Sequence, residues 1–509
     1  MESGTNRMSD AVKPSTRTSG ILLHPSSLPG PFGIGDLGPA AFTWIDALAA
    51  AKQSWWQILP LGPTSYGDSP YQCFSAFAGN PALISPQGLR EEGLIDEADW
   101  SGVHFRADQV EFGPVIAFKR KLLQKAWNNF QGGRSPWLAD EFEAFRSNNH
   151  KWLDDYALYM AIKDSHGGEG WTEWPDELRL RQPAALEKLR GQLAGAIGGY
   201  SFQQFLFYRQ WARVREYAIE RGIKIIGDIP IFVSADSSDV WANPQMFRLD
   251  ADRRPQFVAG VPPDYFNADG QLWGNPLYDW AALEKSGFAW WKARLRSCLA
   301  LVDLVRLDHF RGFESYWEIP ADSATARTGR WVPAPGAALL EAIKSDLGTL
   351  PLIAEDLGII TPEVDALRKK FDLPGMRVLQ FAFGDDFRNP YLPHNFEPRT
   401  VVYTGTHDND TTIGWYAAAP EKEKDHVRRY LARDGSDIAW DLIRAAWGSV
   451  ADVAIAPLQD VMNLGTEARM NFPGRAQGNW AWRFEHHQLN SWMLDRLAEL
   501  TWLYGRAKS

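Results

Sequence analysis

Leu304-Val305-Arg306-Leu307-Asp308-His309-Phe310 is an apolar run that delivers a carboxylate at its far end. Seven other short apolar runs occur along the chain, at 20–24, 55–60, 224–232, 350–357, 376–383, 400–408 and 450–458. Helical patterns separate most of them, among them 39–52, 201–221, 281–300, 337–346 and a helix that opens with Thr361-Pro362-Glu363. Strands that are apolar throughout, not alternating, are what a parallel sheet covered on both faces requires. The expected class is therefore α/β, a (β/α)8 TIM barrel with inserted subdomains and a large insertion after strand 2. The 509 residues fit this reading, because such barrels run from about 200 to over 400 residues before further insertions. Residues 1–19 read as a polar N-terminal tail, with Met8 as a second candidate start, and 20–509 as the barrel. Within it, about 82–199 reads as a mainly helical inserted subdomain and about 233–280 as a long loop insertion at the active face.

Composition narrows the class. With 53 Lys+Arg against 63 Asp+Glu the chain is acidic, which argues against nucleic acid as a partner. No apolar run approaches the roughly 18–20 residues of a membrane span. The N-terminal stretch lacks an apolar signal core. Cys73 and Cys298 are far apart and outside metal-ligand spacing, so neither a disulfide framework nor a zinc site is expected, and the reading is a cytoplasmic protein. There are 24 Trp, which suit either a large aromatic core or a surface for sugar rings.

Acids recur at the strand ends. Asp228 closes the third run, Asp308 the fourth, Glu355 the fifth and Asp408 the seventh. In a barrel of this kind the active site lies at the C-terminal face and draws on several strand ends. Clustered carboxylates without Cys or metal-type His spacing point to acid/base and nucleophilic work, with no metal and no cofactor. Retaining glycosyl transfer needs one ionised and one protonated carboxyl group. Arg306 lies two residues before Asp308, on the same strand face, and a guanidinium there favours the ionised form. Glu355 follows Pro351-Leu352-Ile353-Ala354, surroundings that favour the protonated form. The motif Gly33-Ile34-Gly35-Asp36-Leu37-Gly38 matches G-x-G-x-x-G, but the next run carries no terminal acid for a ribose and the glycines lie ten residues past their strand.

Arg306-Leu307-Asp308-His309, Glu355 and Thr406-His407-Asp408 resemble the signatures of the α-amylase clan. The stretches HPSSLPGPFGIGDLG, SYGDSPYQ–SAFAGNP, GDIPIFVSADSSDVW, GVPPDYFNADGQLWGNPLY, RLDHFRGFESYWEIPA and ARMNFPG–GNWAWR together are similar to the 4-α-glucanotransferase family, also called amylomaltase or disproportionating enzyme. The resemblance spans about residues 20–505 and implies a retaining transfer of a 1,4-α-glucan segment to another glucan or to glucose. It implies Asp308 as nucleophile, Glu355 as general acid/base and Asp408 as transition-state stabiliser. It also implies Asp228, Arg306, His309 and His407 around the scissile bond, with Tyr66, Asp264, Gln271, Trp273 and Asn479 lining further subsites. Trp273 fits a loop anchor equally, Tyr66 a turn residue, and Asn479 a turn before Trp480. His24 and Asp236 read as structural. The compact form without a starch-binding module is expected; monomer and small homo-oligomer both stay open. The rival readings are an α-glucan hydrolase with the same acids, a non-catalytic glucan-binding protein and a nicotinamide oxidoreductase.

Overall fold

The structure, a computed structural model, describes residues 17–263, 268–475 and 477–507. Its centre is a ring of eight parallel strands: β1 (Thr18–Leu22), β2 (Trp55–Gln57), β3 (Lys224–Pro230), β4 (Leu304–Asp308), β5 (Leu352–Ala354), β6 (Gly375–Val378), β7 (Thr400–Tyr403) and β8 (Val453–Pro457). They are ordered β6-β7-β8-β1-β2-β3-β4-β5. The Ala354 N–H donates to Pro374 O at 2.9 Å across the remaining seam. All eight apolar runs have become strands, and the fold is the expected (β/α)8 barrel.

Several boundaries differ from the sequence reading. The first strand opens at Thr18, inside the expected tail, because Thr18 pairs with Val453 and the Arg17 guanidinium donates to Ser449 O and Tyr504 O, both at 2.7 Å. Arg506 completes this clamp from the other end of the chain, donating to Thr18 O at 2.8 Å and Trp447 O at 2.7 Å. The seventh strand stops at Tyr403, so Asp408 stands in the following turn and not at a strand end. Asn409 Oδ1 accepts from the Thr406 N–H at 2.9 Å and from its hydroxyl at 2.8 Å, and this side-chain turn replaces the ladder there. The helix expected at 281–300 is two pieces, Trp280–Lys285 and Ala289–Leu301, parted by Gly287 and Phe288 at positive φ.

Between β2 and β3 lie long helices at Phe112–Gln131, Ala139–Ser165 and Ala194–Glu220. The last runs straight through residue 199, where a boundary was expected. Gly198 and Gly199 are not breakers there: a Cβ on Gly198 would stand 2.6 Å from the Trp127 ring. The pair lets that indole lie against the helix, beside stacked Phe130 and Phe202 (centroids 4.6 Å apart). The expected loop at 233–280 contains two strands, Phe257–Val261 and Gln271–Pro276. With Ser315–Pro320 and Arg330–Pro333 they form a four-stranded antiparallel sheet. Buried Glu318 is gripped there by Arg248 and by Arg330, the latter at 2.8 Å.

The G-x-G-x-x-G stretch is a packing knot. A Cβ on Gly35 would meet Pro25 O at 2.0 Å, and one on Gly38 would meet Ser85 Oγ at 2.4 Å. Asp36 accepts from the Gly38 N–H at 3.0 Å and from Lys119 Nζ at 3.3 Å. Lys119, 3 % exposed, also donates to Ile84 O at 2.7 Å. Removing one partner of a buried pair strands the other charge, at about 3 kcal/mol. Lys119→Met is therefore expected to lower the unfolding free energy by that amount, read as a lower denaturant midpoint at unchanged slope; a midpoint within error of the parent would show that the pair does not hold the helix to the barrel.

Candidate active site

Strand register sets the centre of the barrel mouth. Asp228 on β3 and Arg306 on β4 are direct partners across the sheet. Arg306 Nη1 donates to Asp228 Oδ1 at 2.9 Å and Oδ2 at 2.7 Å. Its Nη2 lies 2.9 Å from Asp308 Oδ1, so one guanidinium joins two carboxylates on adjacent strands. Burial opposes its charge, but Asp228 and Asp308 outweigh that and raise its pKa still further. Burial pushes Asp228 above the usual carboxylate range, and the guanidinium pulls against it.

Glu355 is the first residue past β5. Its Oε2 accepts from the His309 N–H at 2.7 Å and its Oε1 from the Leu357 N–H at 3.0 Å. Burial pushes its carboxyl up to about 8, helped by the charge of Asp308 and opposed by Arg306 and these N–H groups. The balance favours its protonated form. His309 takes positive φ (54°) to aim its N–H at Glu355, and burial lowers its ring to about 4, leaving it neutral. Trp273 stands edge-on to that ring, centroids 4.9 Å apart, and its Nε1 donates to Gln271 Oε1 at 3.1 Å.

Asp408 completes the group from the turn after β7. His407 Nε2 lies 3.3 Å from its Oδ2, and Asn471 Nδ2 donates to its Oδ1 at 2.6 Å. Desolvation works against its charge, yet His407 and Asn471 outweigh it and hold the carboxyl below its ordinary range. Glu355 and Asp408 thus face one mouth with their carboxyl groups shifted in opposite directions, and Asp308 beside them is ion-paired with Arg306. This pairing suits glycosyl transfer. Among the described residues no group of three or more His, Cys, Asp or Glu is arranged to hold a metal ion.

Residues 23–489 match the family model described as 4-alpha-glucanotransferase. The 4-alpha-glucanotransferase of Thermus thermophilus is 52% identical, over 92% of this chain and 94% of its own. That of Synechocystis is 51% identical, over 96% and 98%. The amylomaltase from Streptococcus agalactiae, solved in complex with acarbose, superposes with a TM-score of 0.94 at 40% identity, covering 97% of this chain and all of its own. The chain belongs to the 4-alpha-glucanotransferase family. It is an enzyme of the glycosyltransferase type with 4-alpha-glucanotransferase activity, and the hydrolase alternative is not favoured.

The transferase brings Asp228, Arg306, Asp308, His309, Glu355, His407 and Asp408 together, with Trp273 and Gln271 at the edge. Depth separates them. The Asp228 side chain is fully buried whereas Asp308 is 29 % and Asp408 47 % exposed, so Asp228 acts from behind, through Arg306. Tyr66 is 73 % exposed and stays outside this cluster. It is Tyr71, five residues on, whose hydroxyl donates to Asp228 Oδ2 at 2.8 Å and whose ring stacks on His407. Asn479 has its amide engaged with loop backbone, accepting from the Phe472 N–H at 2.9 Å and donating to Arg475 O at 2.8 Å. Asp264 lies outside the described residues. The sequence reading named neither Tyr71 nor Asn471, although the stretches SYGDSPYQ and ARMNFPG hold them; no strand end or periodicity marks either.

A hydrogen bond to a charged group contributes about 1.5–3 kcal/mol. Tyr71→Phe removes one of three on Asp228 and keeps the ring stack, so kcat is expected to fall by roughly tenfold with folding unchanged. Steady-state kinetics beside a circular-dichroism melt decide this, and an unaltered kcat would mean that the hydroxyl is idle.

Proposed function

We propose that the enzyme moves a segment of 1,4-α-glucan between chains by retaining double displacement, with Asp308 as nucleophile, Glu355 as acid/base and Asp408 as stabiliser of the oxocarbenium-like transition state. The observation that carries this reading is the contrast between Glu355, pushed toward its protonated form by burial, and Asp308, paired with Arg306 two residues before it on β4. In the first step an Asp308 oxygen attacks the anomeric carbon, the bond to the leaving 4-oxygen breaks, and the Glu355 proton passes to that oxygen. In the second, Glu355 takes the proton of an acceptor 4-hydroxyl, that oxygen attacks the same carbon, and the Asp308 ester bond breaks. Two inversions give net retention, a mechanism that requires two carboxyl groups roughly 5–5.5 Å apart.

Donors are maltooligosaccharides, amylose and related 1,4-α-glucans, and acceptors are the same chains or glucose. This reading belongs to starch, glycogen and maltooligosaccharide metabolism. Arg306, His309 and His407 surround the scissile bond, Asp228 braces them, and Gln271, Trp273, Tyr66, Asp264 and Asn479 serve subsites farther along the chain. The helices between β2 and β3, from the 82–199 stretch and continuing through residue 199, serve as a subdomain inserted into the barrel. The two free thiols, Cys73 and Cys298, fit a reducing compartment, and we infer a cytoplasmic enzyme. Among the described residues no helix is long and apolar enough to cross a membrane.

Glu355→Gln given an activated donor is expected to accumulate a glycosyl adduct on Asp308, seen by peptide mass spectrometry; an adduct on any other residue overturns the roles. The pH profile is a second check. A carboxyl pushed up to about 8 is protonated below that value and loses its proton above it. Hence kcat/KM falls as pH rises through about 8. A profile flat to pH 9 contradicts Glu355 as the acid.

Water competes with the acceptor for the ester on Asp308. Trp273, edge-on to His309, offers a sugar platform that water does not need. Trp273→Ala is therefore expected to lower transfer more than hydrolysis, raising reducing ends released per donor consumed. An unchanged ratio in a stable variant would assign Trp273 to loop packing.

A further inference from the structure

Asp408 differs from the other acids in how it is held. Asp308 ends a strand and Glu355 follows one, but Asp408 lies five residues past the last residue of β7, in a turn. No ladder fixes it, and its side chain is half exposed. Its support comes instead from residues 469–471, after β8. Arg469 donates from Nη2 to the backbone carbonyl of Asp408 at 2.8 Å and from Nε to that of Asn471 at 2.7 Å. The guanidinium rests on the Phe472 ring, 4.4 Å from its centroid. The two backbones are thereby stapled together, and the Asn471 amide reaches Asp408 Oδ1 at 2.6 Å.

We infer that Asn471, stapled by Arg469, is a positioning residue that aims the Asp408 carboxylate at the reacting sugar. The inference rests on the reading of Asp408 as stabiliser. The chemistry explains the residue type. A stabiliser of positive charge must stay ionised and unneutralised. A lysine or arginine at 471 would hold it but compete with the sugar for its charge, whereas an amide N–H orients one oxygen and adds no net charge. His407 holds the second oxygen at a longer 3.3 Å. The other groups acting on Asp408 are Arg306, Tyr71 and Arg469, and Asp410 acts in turn on Arg469.

Asn471→Asp tests this, since it keeps the shape and replaces the amide NH2 by a carboxyl oxygen that donates only while it carries a proton. Two carboxyl groups in such contact share one proton. While the pair holds it, the introduced carboxyl still donates; once it leaves, both are ionised and repel. The variant is therefore expected to approach the parent kcat at acid pH and lose activity at neutral pH, its alkaline limb displaced downward by a unit or more. A packing role alone would scale the whole profile without moving it, and that result overturns the inference. Should Asn471→Asp fold poorly, Asn471→Ala decides. A kcat lower by roughly 10- to 100-fold with KM nearly unchanged supports positioning; an unchanged kcat, or a change in KM alone, overturns it. Asp408→Asn is the control. If it is inactive while the Asn471→Asp profile keeps its shape, the inference fails and the stabiliser reading stands. If Asp408→Asn stays active, the stabiliser reading itself fails and takes the inference with it.

Discussion

One buried guanidinium organises this molecule. Arg306 is 4 % exposed and joins Asp228 on β3 to Asp308 on β4 through three contacts of 2.7–2.9 Å. Taking such a cation out of water is unfavourable unless its donors are met in good geometry, and here the barrel wall supplies the acceptors. The same contacts fix register. Slipping β3 against β4 by one residue would turn Asp228 away from Arg306 toward the helices and leave the cation with Asp308 as its one carboxylate partner of the two. Active-site chemistry and strand pairing therefore depend on one another.

Protonation follows from depth and neighbours. Glu355 receives two backbone N–H bonds, which favour its charged form, but burial and the negative charge of Asp308 prevail. Asp408 is also disfavoured by desolvation, yet His407 and the Asn471 amide prevail the other way. Similar side chains, all at one mouth, are given opposite states by which second group each one touches. The neutral His309 between Glu355 and Trp273 adds polarity without another charge.

The barrel was legible because its strands are covered on both faces, which leaves near-continuous apolar runs that no surface strand shows. The acids at 228, 308 and 355 were legible for the same reason, since they interrupt those runs. Asp408 was read as one more strand end, because a Thr-Gly-Thr turn is apolar enough to extend the run to the eye. The antiparallel sheet escaped notice because its strands are short and its first half reads as a Gly- and Pro-rich loop. Tyr71 and Asn471 escaped because they act from loops, and a loop residue announces its target only once the chain is folded. The tryptophans resolve mainly toward the core: Trp56, Trp171, Trp211, Trp241, Trp291 and Trp447 are fully buried.

The pairing of β1 with β8, closed by Arg17 and Arg506, has a consequence for how the chain is made. Synthesis produces Thr18–Leu22 about 430 residues before its partner Val453–Pro457. At roughly 5–20 residues per second, tens of seconds pass on the ribosome with one side of β1 unpaired. An open strand edge is a template for other chains. The nascent protein carries that edge until β8 emerges, and the stretch from β8 onward both covers it and brings Asn471 to Asp408. Completion of the ring and the meeting of Asn471 with Asp408 thus come together, and a chain cut short of β8 keeps an open strand edge and lacks that contact.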